Sequence, residues 1–76
     1  MNVKRFWAKC SSMELMMNVI DMKTGELYMH DRVWKYKCGL VEKSYPESGV
    51  DPDRLIIRDF KFGHDIVGRE CVDLYV

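Results

Sequence analysis

The chain has no close-spaced pair of cysteines, no glycine-rich loop and no apolar run long enough to cross a bilayer. Each absence removes a class of function. A structural zinc needs about four ligands converging tetrahedrally, usually including a pair such as C-x2-C, and Cys10, Cys38, Cys71, His30 and His64 are all far apart apart from chance folding. No metal is therefore expected. Gly25, Gly39, Gly49, Gly63 and Gly68 are too scattered for a phosphate cradle, so no nucleotide cofactor is expected either. An odd number of cysteines cannot all pair within one chain, and the start Met1-Asn2-Val3-Lys4-Arg5 lacks the apolar core of an export signal. A reducing, cytoplasmic setting with no membrane is the expectation.

Net charge is also missing, with twelve Lys and Arg against twelve Asp and Glu. No global field draws in nucleic acid or an anionic membrane. The balance conceals a split, since residues 1–43 carry eight basic and five acidic side chains and residues 44–76 carry four and seven. Such a split can steer a charged partner or pair two copies into a homo-oligomer, unless folding interleaves the halves.

What is present is enough apolar material to fold. Hydrophobic residues make up 47% of the chain, well above the composition of disordered segments. Its 76 residues make a single domain, 1–76, with a thin core and little room for a deep cleft. The main interruption is Ser44 to Asp53, where two prolines, a glycine and acidic residues forbid regular structure and expose Tyr45.

Val3 to Cys10 reads as a strand. Val19 to Tyr28 reads as a hairpin with Gly25 at the position needing positive φ. A competing reading places one helix at about 12–23, because Ser11 and Glu14 stand at capping-box spacing. In Arg32-Val33-Trp34-Lys35-Tyr36-Lys37, strict alternation predicts a strand with Trp34 and Tyr36 on one face and Lys35 and Lys37 on the other. Leu27 and Met29 are odd-numbered whereas Trp34 and Tyr36 are even, so a bulge is expected at His30 to Arg32 if both sets are to be core. The same switch separates Leu55 and Ile57 from Phe60 and Phe62 at Arg58-Asp59. A last strand, Arg69 to Val76, points Val72, Leu74 and Val76 inward. The expected fold class is all-β, a small, strongly curved antiparallel sheet or barrel of five to six strands, with α+β as the alternative.

Catalysis finds little support. His30-Asp31 and His64-Asp65 look like orienting pairs, but neighbours on a strand face opposite ways, so neither carboxylate reaches its own imidazole. A two-histidine acid–base site with Lys35 or Lys37 on a phosphate is the remaining enzymatic arrangement. All six methionines lie within residues 1–29, where they fill a thin core or form an adaptable docking patch.

The run Lys4-Arg5-Phe6-Trp7-Ala8, followed by Ser12 and Glu14, resembles the first strand of the small RNA-polymerase inhibitor of T7-like phages. That family continues into a long Ala- and Glu-rich helix that has no counterpart here, so no functional residue carries over. The resemblance implies only a short, virus-encoded protein that holds a host machine. The functional expectation is a small non-enzymatic protein-binding module, a phage-type inhibitor or accessory factor acting by steric occlusion of a host protein. Its anchors would be Trp7 and Tyr45, with Arg5 and Arg54 as polar contacts. The alternative is a small β-barrel that stacks single-stranded nucleic acid on Arg32, Trp34 and Tyr36, joined by Arg5 and Trp7.

Overall fold

Asn2 begins the first element by accepting the Arg5 N–H on its side-chain oxygen at 2.8 Å, an N-cap for helix α1, Val3–Lys9. Residues 3–10 are thus helical up to the cap, not the expected strand. The reason is a spacing that alternation obscures: Val3, Phe6, Trp7 and Cys10 recur at helical intervals, with Val3 fully buried and the others packed against the core. The likeness to the phage inhibitor's first strand does not extend to conformation.

In this computed structural model, which describes residues 1–76, four strands form one open sheet: β1 Met16–Ile20, β2 Leu27–Arg32, β3 Asp59–His64 and β4 Glu70–Tyr75. The order across the sheet is β2-β1-β4-β3. Its two edges are antiparallel to their neighbours, but the central pair β1 and β4 is parallel, with Met17 opposite Val72 and Val19 opposite Leu74. The all-β expectation holds in its coarse form, as a small, mostly β domain. The finer form does not: there are four strands rather than five or six, no closed barrel, and two short α-helices, neither at 12–23.

The β1–β2 hairpin stands where the sequence places it, with Gly25 at φ 76°. Residues 16–20 are strand rather than helix because β1 is the centre of the sheet, paired on both sides. Tertiary pairing overrides the local capping signal. The bulge also exists, but not at His30 to Arg32. Val19 pairs with Met29 and Ile20 with Leu27, leaving Tyr28 as the extra residue. The bulge turns Tyr28 into the core, and its hydroxyl donates to Asp21 Oδ2 at 2.8 Å.

After β2 the chain turns into helix α2, Val33–Cys38, and not a further strand. Val33 and Tyr36, one helical turn apart, are both buried, while Trp34 is half-buried. The helix ends at Gly39, φ 71°, whose N–H and that of Leu40 close back on the Lys35 carbonyl. A helix this short is unstable alone, so packing holds it. Tyr36 supplies one tie by donating its hydroxyl to the Met17 carbonyl of β1 at 2.8 Å.

The core is Val3, Leu15, Met17, Val19, Tyr28, Met29, Val33, Tyr36, Val72 and Leu74, lying between the helices and one face of the sheet. Of the methionines, Met16, Met17 and Met29 are buried, whereas Met1, Met13 and Met22 are exposed. The two halves of the chain interleave, because β1 from residues 1–43 lies beside β4 from residues 44–76.

Candidate docking surface

Every residue of β3 is exposed. The strand lies at the sheet edge, and beyond its ladder with β4 no backbone hydrogen bond reaches residues 59–64. The opposite edge is partly covered, since Ser44 donates its N–H to the Tyr28 carbonyl at 2.9 Å and so lays the following loop along β2. An open edge of this kind is a template for a further strand.

Phe60 and Phe62 stand directly opposite Leu74 and Val72, and so on the core face of the sheet. The helical layer does not extend over them. They are 57% and 58% exposed, with ring centroids 5.7 Å apart in an edge-to-face arrangement. Phe6 of α1 lines the space on both sides. One cleft of about 520 Å³ runs between Phe6, Cys10 and Leu15 on one wall and Phe62 and His64 on the other. A second, of about 340 Å³, is bounded by Met1, Phe6, Ile57 and Phe60. Together they form an apolar groove alongside the open edge, between α1 and β3. Covering apolar surface gains roughly 25 cal/mol per Å², so these exposed rings have binding energy to offer.

The residues expected as anchors are divided by the fold. Trp7 is half-buried; its Nε1 donates to Asp53 Oδ1 at 2.8 Å and its ring packs 6.4 Å from that of Tyr36. Arg5 lies exposed on α1, and Arg54 lies exposed on the short 3-10 helix Pro52–Arg54 against which α1 packs. Tyr45 is 55% exposed on the separate loop that flanks β2. Sequence reasoning missed Phe60 and Phe62 as surface residues. Their alternation with Lys61 was legible, but it assigns them an inner face without saying whether anything covers that face.

The proposed ring platform does not assemble. Tyr36 is buried, Lys35 lies 5.5 Å over the Trp34 ring, and Arg32 pairs with Glu14 at 3.5 Å. His30 and His64 lie on strands at opposite edges, and His30 bonds to Asn18, which in turn donates to Asp73 at 2.8 Å. No group of three or more His, Cys, Asp or Glu side chains converges as a metal site, and no helix is long and apolar enough to cross a membrane.

Lys43 bridges Asp51 at 3.0 Å and Asp53 at 3.1 Å, tying the 39–51 loop to the 3-10 turn. Burial opposes the charged forms of this cluster, but the mutual hydrogen bonds prevail, holding Asp51 below and Lys43 above their ordinary values. Cys71, beside the groove, has its thiol pushed up by burial and then by Asp73 and Asp65, the opposite of an activated nucleophile. The chemistry of this surface is apolar contact plus backbone pairing. Comparison with protein-family models, curated proteins and solved structures finds no match for the chain.

Proposed function

We propose that this protein is a non-enzymatic protein-binding module that docks its partner on the β3 edge and the Phe6–Phe60–Phe62 groove. It acts by covering a surface of that partner, in the manner of a phage-type inhibitor or accessory factor. The observation that carries the reading is the exposure of Phe60 and Phe62 beside an edge strand with no second neighbour. Single exposed apolar residues are ordinary, whereas rings gathered along a groove and an unpaired edge mark an interaction surface. Main-chain pairing supplies affinity there, and the rings select the sequence that fits.

The test is the double variant Phe60→Ser/Phe62→Ser beside the wild type, each as bait in its native host lysate. Neither ring is in the core, so the variant should still fold cooperatively while specific capture is lost. Undiminished capture by the folded variant overturns the reading. In a parallel variant, Tyr45→Ala, capture should persist if the groove is the sole docking site.

A further inference from the structure

We infer that the partner fitting the β3 edge is a second copy of this chain, paired antiparallel with its two-fold axis at Phe60. The inference rests on the reading of β3 as the docking surface and adds an occupant of that edge in the free protein, one that another protein docking there would displace. Its first support is the direction of the free backbone groups. The Asp65 N–H bonds to the Arg69 carbonyl, and alternation along an antiparallel ladder then turns the backbone groups of Phe60, Phe62 and His64 away from β4. The Phe60 N–H confirms the alternation, since it bonds not to β4 but to its neighbour's carboxylate, Asp59 Oδ1, at 2.8 Å.

The second support is charge. Residues directly opposite one another in an antiparallel pair share a face, so β3 meets itself correctly only in registers that keep phenylalanines on the groove side. With the axis at Lys61, the two Lys61 side chains would stand opposite each other. An axis at Phe62 sets Asp59 against Asp65 and leaves Lys61 facing Gly63. With the axis at Phe60, each Lys61 faces the other copy's Asp59, giving two opposite-charge pairs on the outer face. Those charges are free to pair: the ion pairs within the chain use Glu14, Asp31, Arg32, Lys35, Lys43, Asp51, Asp53, Asp65 and Arg69, and neither Asp59 nor Lys61.

In this register the Phe60 rings of the two copies become direct neighbours, and each Phe62 lies one step outward. The Phe60 rings then cover one another, each Phe62 faces Arg58 of the other copy, and two four-stranded sheets join into one through a short ladder, since the Arg58 N–H is already held by the Tyr75 carbonyl at 2.7 Å. Asp59 exchanges its bond to the Phe60 N–H for Lys61 of the other copy, leaving that N–H to donate to the Phe60 carbonyl across the axis.

The experiment is sedimentation velocity over a concentration series on wild type, Asp59→Lys, Lys61→Asp, their equimolar mixture and the double variant. Wild type should show a monomer–dimer equilibrium. Each single variant sets like charges opposite each other twice and should weaken the dimer about tenfold or more. The mixture should regain pairing, because one chain then offers only acids and the other only bases, and the double variant should dimerise as the wild type does. Slowed exchange of the Phe60 amide in the dimer is the accompanying backbone signature. A wild type that stays monomeric overturns the inference, and so does a dimer indifferent to the charge reversals. Either result leaves the docking reading standing if capture of another protein still depends on Phe60 and Phe62; loss of both would remove it as well.

Discussion

The Trp7 indole N–H donates to Asp53 Oδ1 at 2.8 Å, joining residues 46 positions apart. That bond clasps α1 to the 3-10 turn, and Val3 doubles it by donating its N–H to the Leu55 carbonyl at 3.0 Å. Trp7 is accordingly a structural residue with its polar handle occupied. Trp7→Phe retains most of the ring but leaves Asp53 one donor short, and should cost about 1 kcal/mol in a urea titration. Tyr45→Ala, on an exposed loop, should stay within about 0.5 kcal/mol of wild type.

The bulge predicts a pH dependence at both ends of the range. The Tyr28 hydrogen bond, with those from the Lys23 and Thr24 N–H groups, holds Asp21 below the ordinary 3.8, so its contribution to stability is complete above that value. It is lost as pH falls through the depressed folded value. The same bond, with burial, pushes Tyr28 up from 10.0 to about 12. Its contribution is complete below the unfolded value and is lost as pH rises from 10 toward 12. Tyr28→Phe should therefore flatten the alkaline limb of a stability–pH profile and soften the acid limb, and should remove an absorbance transition near pH 12.

Gly25 closes the β1–β2 hairpin at φ 76°, and a Cβ there would meet nothing within 4 Å. The cost of Gly25→Ala is thus conformational rather than steric crowding, and should be about 1 kcal/mol in chemical denaturation. An unchanged midpoint would show that the turn relaxes to another conformation.

Leu74 is fully buried on a central strand, and the final residue is tied in by Val76 N–H to Ile20 carbonyl at 2.9 Å and Met22 N–H to Val76 carbonyl at 3.0 Å. Leu74→Ala should cost about 3 kcal/mol. Deleting Leu74 to Val76 should leave the chain unfolded by circular dichroism, because it removes two of the five residue pairs between β1 and β4 along with a core side chain.

The hairpin and last strand were legible because both rest on local chemistry: a glycine with positive φ between apolar runs, and alternation that ends with Val72 and Leu74 inward. The helices were misread because their signals are short and double-valued. Val3, Phe6, Trp7 and Cys10 fit a helix, and Asn2 before them is a cap, but the residues between are basic or small and allow alternation as well. In Arg32 to Lys37 the alternation is real, yet Val33 and Tyr36 one turn apart, with Gly39 behind them, are equally good helix punctuation. A window of six residues does not separate period 2 from period 3.6; packing against β1 does.

The candidate site divides the same way. By itself, the sequence determined a single small domain, the absence of close-spaced metal ligands and phosphate loops, the first hairpin, and the inward faces of the final strands, because composition and nearest-neighbour chemistry decide these. Only the tertiary structure decided that β1 and β4 lie side by side and parallel, that Tyr36 is core while Trp34 is half-covered, and that Phe60 and Phe62 lie on the inner face yet beyond the helical roof. The physical reason is that alternation gives the side of a sheet on which a residue stands. Burial depends on which other element is long enough, and placed closely enough, to cover that side, and neither α1 nor α2 covers Phe60 and Phe62.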